Sequence, residues 1–574
     1  MKYSGARILI ECLVEQGVDT VFGYPGGSVL YIYDELFKHK DRIRHVLTSH
    51  EQHAAHAADG YARSTGRVGV CIATSGPGAT NLVTGIATAY MDSIPMVAIT
   101  GNVTTALLGK DSFQEVDIAG VSMPVTKHNW IVKDVRELAE TLREAFTVAR
   151  SGRPGPVLVD IPKDVTAALA EWLPTSANPP TEPVARARAA RLAARTERET
   201  FTEADIDKAV ALIAAAERPF IYAGGGVIIS EASTELRAFV ERINAPVAES
   251  LMGQGALPWD HPLCTGMVGM HGTKASNNAV QRADLILAIG ARFSDRVISK
   301  ADTFAPKAKI MHIDIDPAEI NKNIKSEYSI VGDIKAVLTR MLAKLPASVA
   351  MQGKKAWDAD VADWKKMVPS AHSRETKLHP RYIMEAVHAR VGGDAIIATD
   401  VGQHQMWTAQ FYPFSKPRTF LTSGGLGTMG YGMGAAVGAK CANPARVVAL
   451  ITGDGSFRMN CGELSTLSNY HLPILIVVVN NRVLGMVRQW QTIFYDERYA
   501  ETDLQRPPDF VKLADAYGLV GFRAEDETSF DAALDKAMAV IAGGKTALVE
   551  AIIDSDEQVL PMVPGGKAID EQMM

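Results

Sequence analysis

Cysteine is scarce. The chain has five in 574 residues, at positions 12, 71, 264, 441 and 461, and no CxxC pair. That spacing excludes a disulfide framework and a thiolate zinc site, and it fits a reducing compartment. Long apolar runs are also missing. None approaches the about 20 residues that span a bilayer. The opening MKYSGARILIECLVEQGVDTVFG places its apolar residues at helical spacing, interrupted by charges, without the h-region of a signal peptide. A soluble, cytoplasmic protein with no membrane partner is expected. No long basic run occurs and the net charge is -6, which argues against a nucleic-acid partner.

What is present is 47% hydrophobic residues over 574 positions, enough for several ordinary domains. Short apolar runs bounded by Gly, Asp or Asn alternate with helical patterns. Examples are Val68–Ala73, Met96–Thr100, Val157–Ile161, Leu285–Ile289, Ile310–Ile315, Ile396–Thr399, Val447–Ile451 and Ile474–Val479. Such runs are buried strands of parallel sheets, so the fold class is α/β. Two stretches break the pattern, the Pro- then Ala/Arg-rich Ser176–Thr200 and the Lys-rich Pro346–Pro380. Both are read as linkers or surface helices. Three doubly wound units follow, at 1–180, 190–345 and 375–555, with a tail at 556–574 that is mobile or acts as a lid.

The most specific motif is Gly453-Asp454-Gly455-Ser456 after the apolar run VVALIT, with Asn481 ending the next run, LPILIVVVNN. Strand ends of open α/β sheets are where ligands bind. Glycines let backbone approach phosphate. Asp454 is a hard oxygen ligand for Mg²⁺, and adjacent parallel strands bring it beside Asn481. GDG by itself is a common turn; its place after one strand, with NN closing the next, makes it informative.

Glu51 lies in HVLTSHEQHAAHAADGYARSTG, in the first turn of a helix. Two other readings stand beside a functional one. An acidic residue favours a helix N-terminus for electrostatic reasons alone. His50, His53 and His56 could form a metal site, although the HExxH arrangement is absent.

GDG followed by about two dozen residues and NN resembles the motif of the thiamine-diphosphate enzymes. TSHEQ resembles their glutamate motif, with Ser49 where arginine is common. Tyr24-Pro25-Gly26-Gly27 and GGLGTMGYGMGAA (Gly424–Ala436) are similar too, although the latter lacks the family's usual proline. The resemblance implies three domains of the thiamine-diphosphate enzyme type. It implies Mg²⁺ on Asp454, Asn481 and the Val483 carbonyl, and diphosphate on Gly453, Gly455 and Ser456. Met429 would be the residue around which the cofactor bends. Glu51, Gly27, Gln114 and Lys163 would be catalytic, with Glu51 on the aminopyrimidine ring to promote loss of the reactive carbon's proton. The ring would lie on one chain and the diphosphate on another, so a homodimer or tetramer is implied.

In the middle unit, RPFIYAGGG runs a strand into Gly224-Gly225-Gly226, and HIDIDPAEI ends a strand near Asp314 and Asp316. Carboxylates there suit ribose hydroxyls. A GGG turn alone also occurs in related middle domains that hold no cofactor. The whole set resembles the FAD domain of the acetohydroxyacid synthase family. The resemblance implies FAD on Gly224, Gly225, Gly226, Met267, His271, Arg292, Asp314 and Asp333. It also implies an acceptor pocket of Phe113, Met270, Arg296, Val401 and Trp490. Arginine suits a carboxylate through paired hydrogen bonds, while a surface arginine and a core tryptophan are the plain alternatives. The family decarboxylates pyruvate and joins the two-carbon unit to pyruvate or 2-ketobutyrate, on the way to valine, leucine and isoleucine, and can work with a small regulatory subunit. Rival expectations are a pyruvate oxidase, a catabolic acetolactate synthase without flavin, a glyoxylate carboligase, which the glutamate at position 51 disfavours, and a catalytically dead regulatory chain.

Overall fold

The computed structural model describes residues 1–174, 200–347, 349, 354–367, 378–504, 506 and 508–574. The Ser176–Thr200 stretch lies outside the described residues except for Thr200.

Three sheets of six parallel strands form the framework. The first contains β2 (Thr20–Gly23), β3 (Arg44–Leu47), β4 (Gly69–Ala73), β5 (Met96–Asn102), β6 (His128–Ile131) and β7 (Pro156–Pro162), in the order β3-β2-β4-β5-β7-β6. A two-stranded antiparallel ribbon, β1 (Lys2–Ser4) with β8 (Leu169–Glu171), closes this unit. The second sheet contains β9 (Pro219–Ala223), β10 (Val247–Glu249), β11 (Cys264–Met267), β12 (Leu285–Ile289), β13 (Lys309–Asp314) and β14 (Tyr328–Val331), in the order β11-β10-β9-β12-β13-β14. The third contains β15 (Ile396–Thr399), β16 (Phe420–Leu421), β17 (Val448–Gly453), β18 (Ile474–Asn480), β19 (Val520–Ala524) and β20 (Ala547–Ile552), in the order β16-β15-β17-β18-β20-β19. Counted from its own first strand, the third sheet repeats the order of the first. The second instead has the doubly wound dinucleotide order. In each case the order reverses beside the sheet's first strand, between β2 and β4, β9 and β12, and β15 and β17, and ligands of open α/β sheets bind in the crevice at such a point.

The central strands are rich in Val, Ile, Leu and Ala. Those of β4, β5, β7, β17 and β18 are buried along their whole length, as sheets covered on both faces require.

The first and third units share one apolar core. Its axis is the helix Glu51–Thr65, capped by Gly66 in the left-handed conformation, crossing the helix Gly432–Ala442. Both are rich in alanine and glycine. A Cβ at Gly60 would overlap the Ala435 carbonyl, and one at Gly438 the Ala57 carbonyl. The two backbones therefore touch, which only small residues permit.

Within the Pro346–Pro380 stretch, the helix Lys354–Lys365 buries Trp357, whose indole N–H donates to the Pro219 carbonyl at 3.1 Å. That part is packed on the middle unit. The tail is packed as well. Val559, Met562, Val563 and Ile569 are buried. The Val563 N–H donates to the Met270 carbonyl at 2.8 Å, and Lys274 to the Asp570 carbonyl at 2.9 Å. Apolar side chains spaced through a Gly- and Pro-containing stretch anchor the segment expected to be mobile. Among the described residues no helix is long and apolar enough to cross a membrane.

Candidate active site

The third sheet supplies a polar corner. Strands β17 and β18 lie side by side, with Gly453 opposite Val479, so Asp454 and Asn481 follow neighbouring strand ends. Asp454 is only 1% exposed. Burial pushes its carboxyl up to about 7, and its Oδ2 has no hydrogen-bond partner. A buried carboxylate oxygen left without a partner is costly. A divalent cation bound there would remove that cost. Asn481 donates to Gln403 Oε1 at 3.0 Å and accepts the Val483 N–H at 3.2 Å. Gln403 is fixed in turn by Gln489 Oε1 at 3.1 Å and the Glu557 carbonyl at 2.7 Å. Beside them is a cavity of about 280 Å³ lined by Asn481, Arg482, Val483, Arg488, Asp503 and Ser555 among others. A carboxylate, an amide oxygen and a backbone carbonyl are a set that suits Mg²⁺ with phosphate.

The Ser456 hydroxyl donates to the Val401 carbonyl at 2.9 Å, tying Val401 to the GDG turn. At Gly455 a Cβ would sit 2.7 Å from Leu484 Cδ2 and 3.9 Å from Met429 Cε. Glycine there keeps open the gap between Met429 and the corner. Sequence reasoning missed Gln403 and His404. Both are buried, and burial pulls the His404 imidazole down to about 3. The available signal was DVGQHQ, a polar run directly after β15 at the crevice of the sheet.

The first sheet supplies a separate set. Gly27 follows β2, Glu51 follows β3 and Lys163 follows β7. Glu51 opens its helix, and Asn81 Nδ2 donates to its Oε2 at 2.9 Å. The helix start is held by Glu463 of the third unit, a third residue missed from sequence. Its Oε1 accepts the N–H groups of Ser49 at 2.7 Å and His50 at 3.1 Å, and lies 3.0 Å from His53 Nδ1. Ser49, where the family commonly has arginine, bonds to the Gly462 carbonyl and the Ser465 hydroxyl. His53 is thus engaged with Glu463, and His56 is fully buried, its imidazole held well below the ordinary value by burial. Gln114 has φ +60°. Its neighbour Phe113 is 89% exposed. Within one chain, no hydrogen bond or ion pair among the described residues links Glu51, Gln114 or Lys163 to Asp454, Ser456 or Asn481.

Three of the five acceptor residues come together. Arg296 Nη1 is 3.9 Å from Met270 Sδ, and its guanidinium carbon is 6.0 Å from the Trp490 ring centre. The Arg296 carbonyl accepts the Met270 N–H at 2.8 Å. Arg296 is largely exposed, with Asp295 as its nearest carboxylate at 3.7 Å. Val401 belongs to the Asp454 corner instead, and Phe113 stands apart on the first unit.

In the middle unit the glycine turn follows β9 and meets the end of β12. The Gly224 and Gly226 N–H groups donate to the Ile289 and Gly290 carbonyls, both at 2.9 Å. A Cβ at Gly226 would lie 2.7 Å from Gly290 Cα, so the two loops touch. Met267 ends β11, and His271 is buried with a ring nitrogen 3.3 Å from the Pro561 carbonyl, its imidazole lowered to about 4 by burial. Asp314 ends β13, pushed up to about 6 by burial, and accepts the Asp316 N–H. Asp316 pairs with Arg153 at 3.1 Å. Asp333 caps the helix Ile334–Lys344 and accepts the Ser230 hydroxyl at 2.6 Å. Arg292 holds the Tyr222 hydroxyl through its carbonyl. The other Asp314 oxygen lies 3.9 Å from His312 Nε2.

Comparison with known proteins decides the family. Residues 3–121 match the thiamine pyrophosphate enzyme N-terminal TPP binding domain, 206–341 the central domain and 400–551 the C-terminal TPP binding domain. The chain is 48% identical to acetolactate synthase of Mycobacterium bovis, over 99% of this chain and 91% of that one. It is 48% identical to a probable acetolactate synthase large subunit of Methanocaldococcus jannaschii, over 98% and 94%. It is 43% identical to the isozyme 3 large subunit of Escherichia coli, over 100% and 98%. The chain belongs to the acetolactate synthase large-subunit family. In this thiamine pyrophosphate family the N-terminal match contains Glu51 and the C-terminal match contains Asp454 and Asn481, the two polar sets described above.

Proposed function

We propose that this chain is an acetohydroxyacid synthase. It decarboxylates pyruvate with thiamine diphosphate and Mg²⁺ and transfers the two-carbon unit to pyruvate, giving 2-acetolactate, or to 2-ketobutyrate, giving 2-aceto-2-hydroxybutyrate. These reactions open valine, leucine and isoleucine biosynthesis. The observation that carries the reading is the buried Asp454, with one oxygen unpartnered, beside Asn481 at neighbouring strand ends.

Thiamine diphosphate supplies an acidic carbon that adds to ketoacid carbonyls and a ring that accepts the electrons released as CO₂ leaves. The protein's part is to bind and orient. Asp454, Asn481 and the Val483 carbonyl hold the cation, and Gly453, Gly455 and Ser456 line the diphosphate. Glu51 holds a proton at the ring nitrogen. Arg296 takes the acceptor's carboxylate, with Trp490, Met270, Val401 and the partner's Phe113 forming the apolar wall, and Gly27, Gln114 and Lys163 complete the site from the other chain. The active form is thus a homodimer or tetramer in the cytoplasm. FAD lies on Gly224–Gly226, Met267, His271, Arg292, Asp314 and Asp333 without carrying electrons in the main reaction. A small regulatory subunit fits the large-subunit names of the relatives.

Purified protein given pyruvate, with and without 2-ketobutyrate, tests the reading. Both acetohydroxy acids should form, and bound flavin should bleach slowly compared with turnover. Acetate or acetyl phosphate formed with flavin reduced at the turnover rate would make the chain an oxidase instead.

A further inference from the structure

The segment Gly424–Tyr431 leads from β16 to the helix Gly432–Ala442 and carries Met429. Gly427 and Gly430 flank that methionine at φ +69° and +86°, a conformation glycine adopts without strain. Ser423 accepts the Thr428 N–H. Three further holds come from the first unit.

Asp92, which follows the helix Val83–Met91, accepts the N–H groups of Gly424 at 3.0 Å and Gly425 at 2.7 Å. Thr88, one turn earlier on that helix, shares a hydroxyl hydrogen bond with Thr428 at 2.8 Å. Asp59, on the helix that Glu51 opens, accepts the Tyr431 hydroxyl at 2.6 Å. Arg63 joins the two carboxylates, with Nε 2.5 Å from Asp59 Oδ1 and Nη2 2.9 Å from Asp92 Oδ2. On the other side, Met252 of the middle unit occupies the space a Cβ at Gly424 would need.

Asp59, Arg63, Asp92 and Tyr431 are all buried. A buried ionic cluster is a poor way to gain stability, because apolar residues of the same volume do as well or better. What it provides is fixed geometry. Here the two carboxylates outnumber the one guanidinium, and the Gly424 and Gly425 N–H dipoles face the excess charge. The cluster is therefore matched to the position of this segment.

We propose that Asp92 is a positioning residue of the thiamine site. Through Gly424 and Gly425 it fixes Met429 against Gly455, while Asp59 fixes the far end through Tyr431. The assignment rests on the reading that Met429 is the residue around which the cofactor bends. A shift of about 1 Å in such a support is enough to cost on the order of 10²-fold in rate.

The test is C2-proton exchange on cofactor bound to the holoenzyme, at saturating thiamine diphosphate and Mg²⁺, with cofactor affinity and Tm measured alongside. Asp92→Asn keeps the size but offers one acceptor oxygen in place of two. Exchange should slow at least about tenfold. Leu142→Ala, a cavity in the first unit's other core cluster, should lower Tm comparably yet leave exchange within about twofold. Thr88→Val and Tyr431→Phe each remove one hydroxyl and leave the ionic cluster in place; each should slow exchange about threefold, and they carry the test if Asp92→Asn does not fold. Added to Met429→Ala, Asp92→Asn should slow exchange less than twofold further, because the two act through one contact. Full additivity with Met429→Ala would overturn the assignment. Slow exchange in Met429→Ala with parental rates in the other three would overturn it alone. Parental exchange in Met429→Ala would overturn both it and the bent-cofactor reading.

Discussion

The third and middle units present their ligand edges with the same device, a buried parallel strand running into a glycine turn where the strand order reverses. The side chains on the turns differ. The third unit places Asp454 on its turn, with a carboxylate oxygen that has no partner, beside an amide fixed by Gln403. The middle unit's turn carries no polar side chain, and two of its N–H groups are committed to Ile289 and Gly290. Its nearby carboxylates are largely engaged: Asp316 with Arg153, and Asp333 with Ser230 and its own helix. One backbone plan thus serves two chemistries. On the function proposed above, the first corner would bind mainly through a charge and fail when that one group is lost, whereas the turn of the second would bind mainly through its shape and weaken by degrees.

That contrast is broken most severely at Asp454. Asp454→Ala should lower carboligation on the order of 10³-fold, measured as acetolactate formed from pyruvate. Next is Glu51→Gln, which keeps size but loses the proton-holding acid. Exchange of the cofactor's C2 proton, read by NMR after acid quench, should slow on the order of 10²-fold with Tm unchanged. Parental exchange would make Glu51 merely a helix-terminal acid.

The middle unit should respond more gently. Gly226→Ala pushes a Cβ against Gly290, so FAD affinity should fall roughly tenfold while thiamine diphosphate still binds, by fluorescence titration of each. At the acceptor cluster, Trp490→Leu should shift the ratio of 2-aceto-2-hydroxybutyrate to acetolactate by about tenfold, the worth of one methylene in an apolar contact. Arg296→Lys should slow reaction with both acceptors and leave the ratio alone.

The smallest effect concerns pH. Glu249, at the end of β10 in the middle unit, is raised from 4.5 to about 8 by burial and accepts the Leu257 N–H at 2.8 Å. Because the folded value is the higher one, the folded chain keeps this proton where the unfolded chain has released it. Its contribution to stability is full below pH 4.5 and is lost as pH rises through 8. Glu249→Gln should therefore be more stable than the parent at pH 9, on the order of 5 kcal/mol by urea unfolding, with the gain vanishing near pH 4.5.

Much of this was legible in the sequence because strand-end motifs carry their own context. GDG after one apolar run and NN after the next require adjacent parallel strands, which β17 and β18 are. The α/β class followed from runs such as ILIVVV, too apolar for a half-exposed strand. What the sequence hid was contact between distant segments. Glu463 holds the start of the Glu51 helix from more than 400 residues away. Asp59 and Arg63 stand four apart on one helix, and nothing local indicates Asp92 and Tyr431 as their partners. The tail's buried Val559 and Ile569 are spaced too irregularly to announce a packed segment. Phe113 was grouped with Trp490 but lies on another unit, exposed.

The charge-against-shape contrast is tested most directly by calorimetry on cofactor-free protein at fixed Mg²⁺, titrating thiamine diphosphate and then FAD into the parent and Asp454→Ala. The expected result is that Asp454→Ala loses measurable thiamine diphosphate binding and binds FAD as the parent does. Undiminished thiamine diphosphate affinity in Asp454→Ala would contradict the assignment of the metal corner and, with it, the difference drawn between the two units.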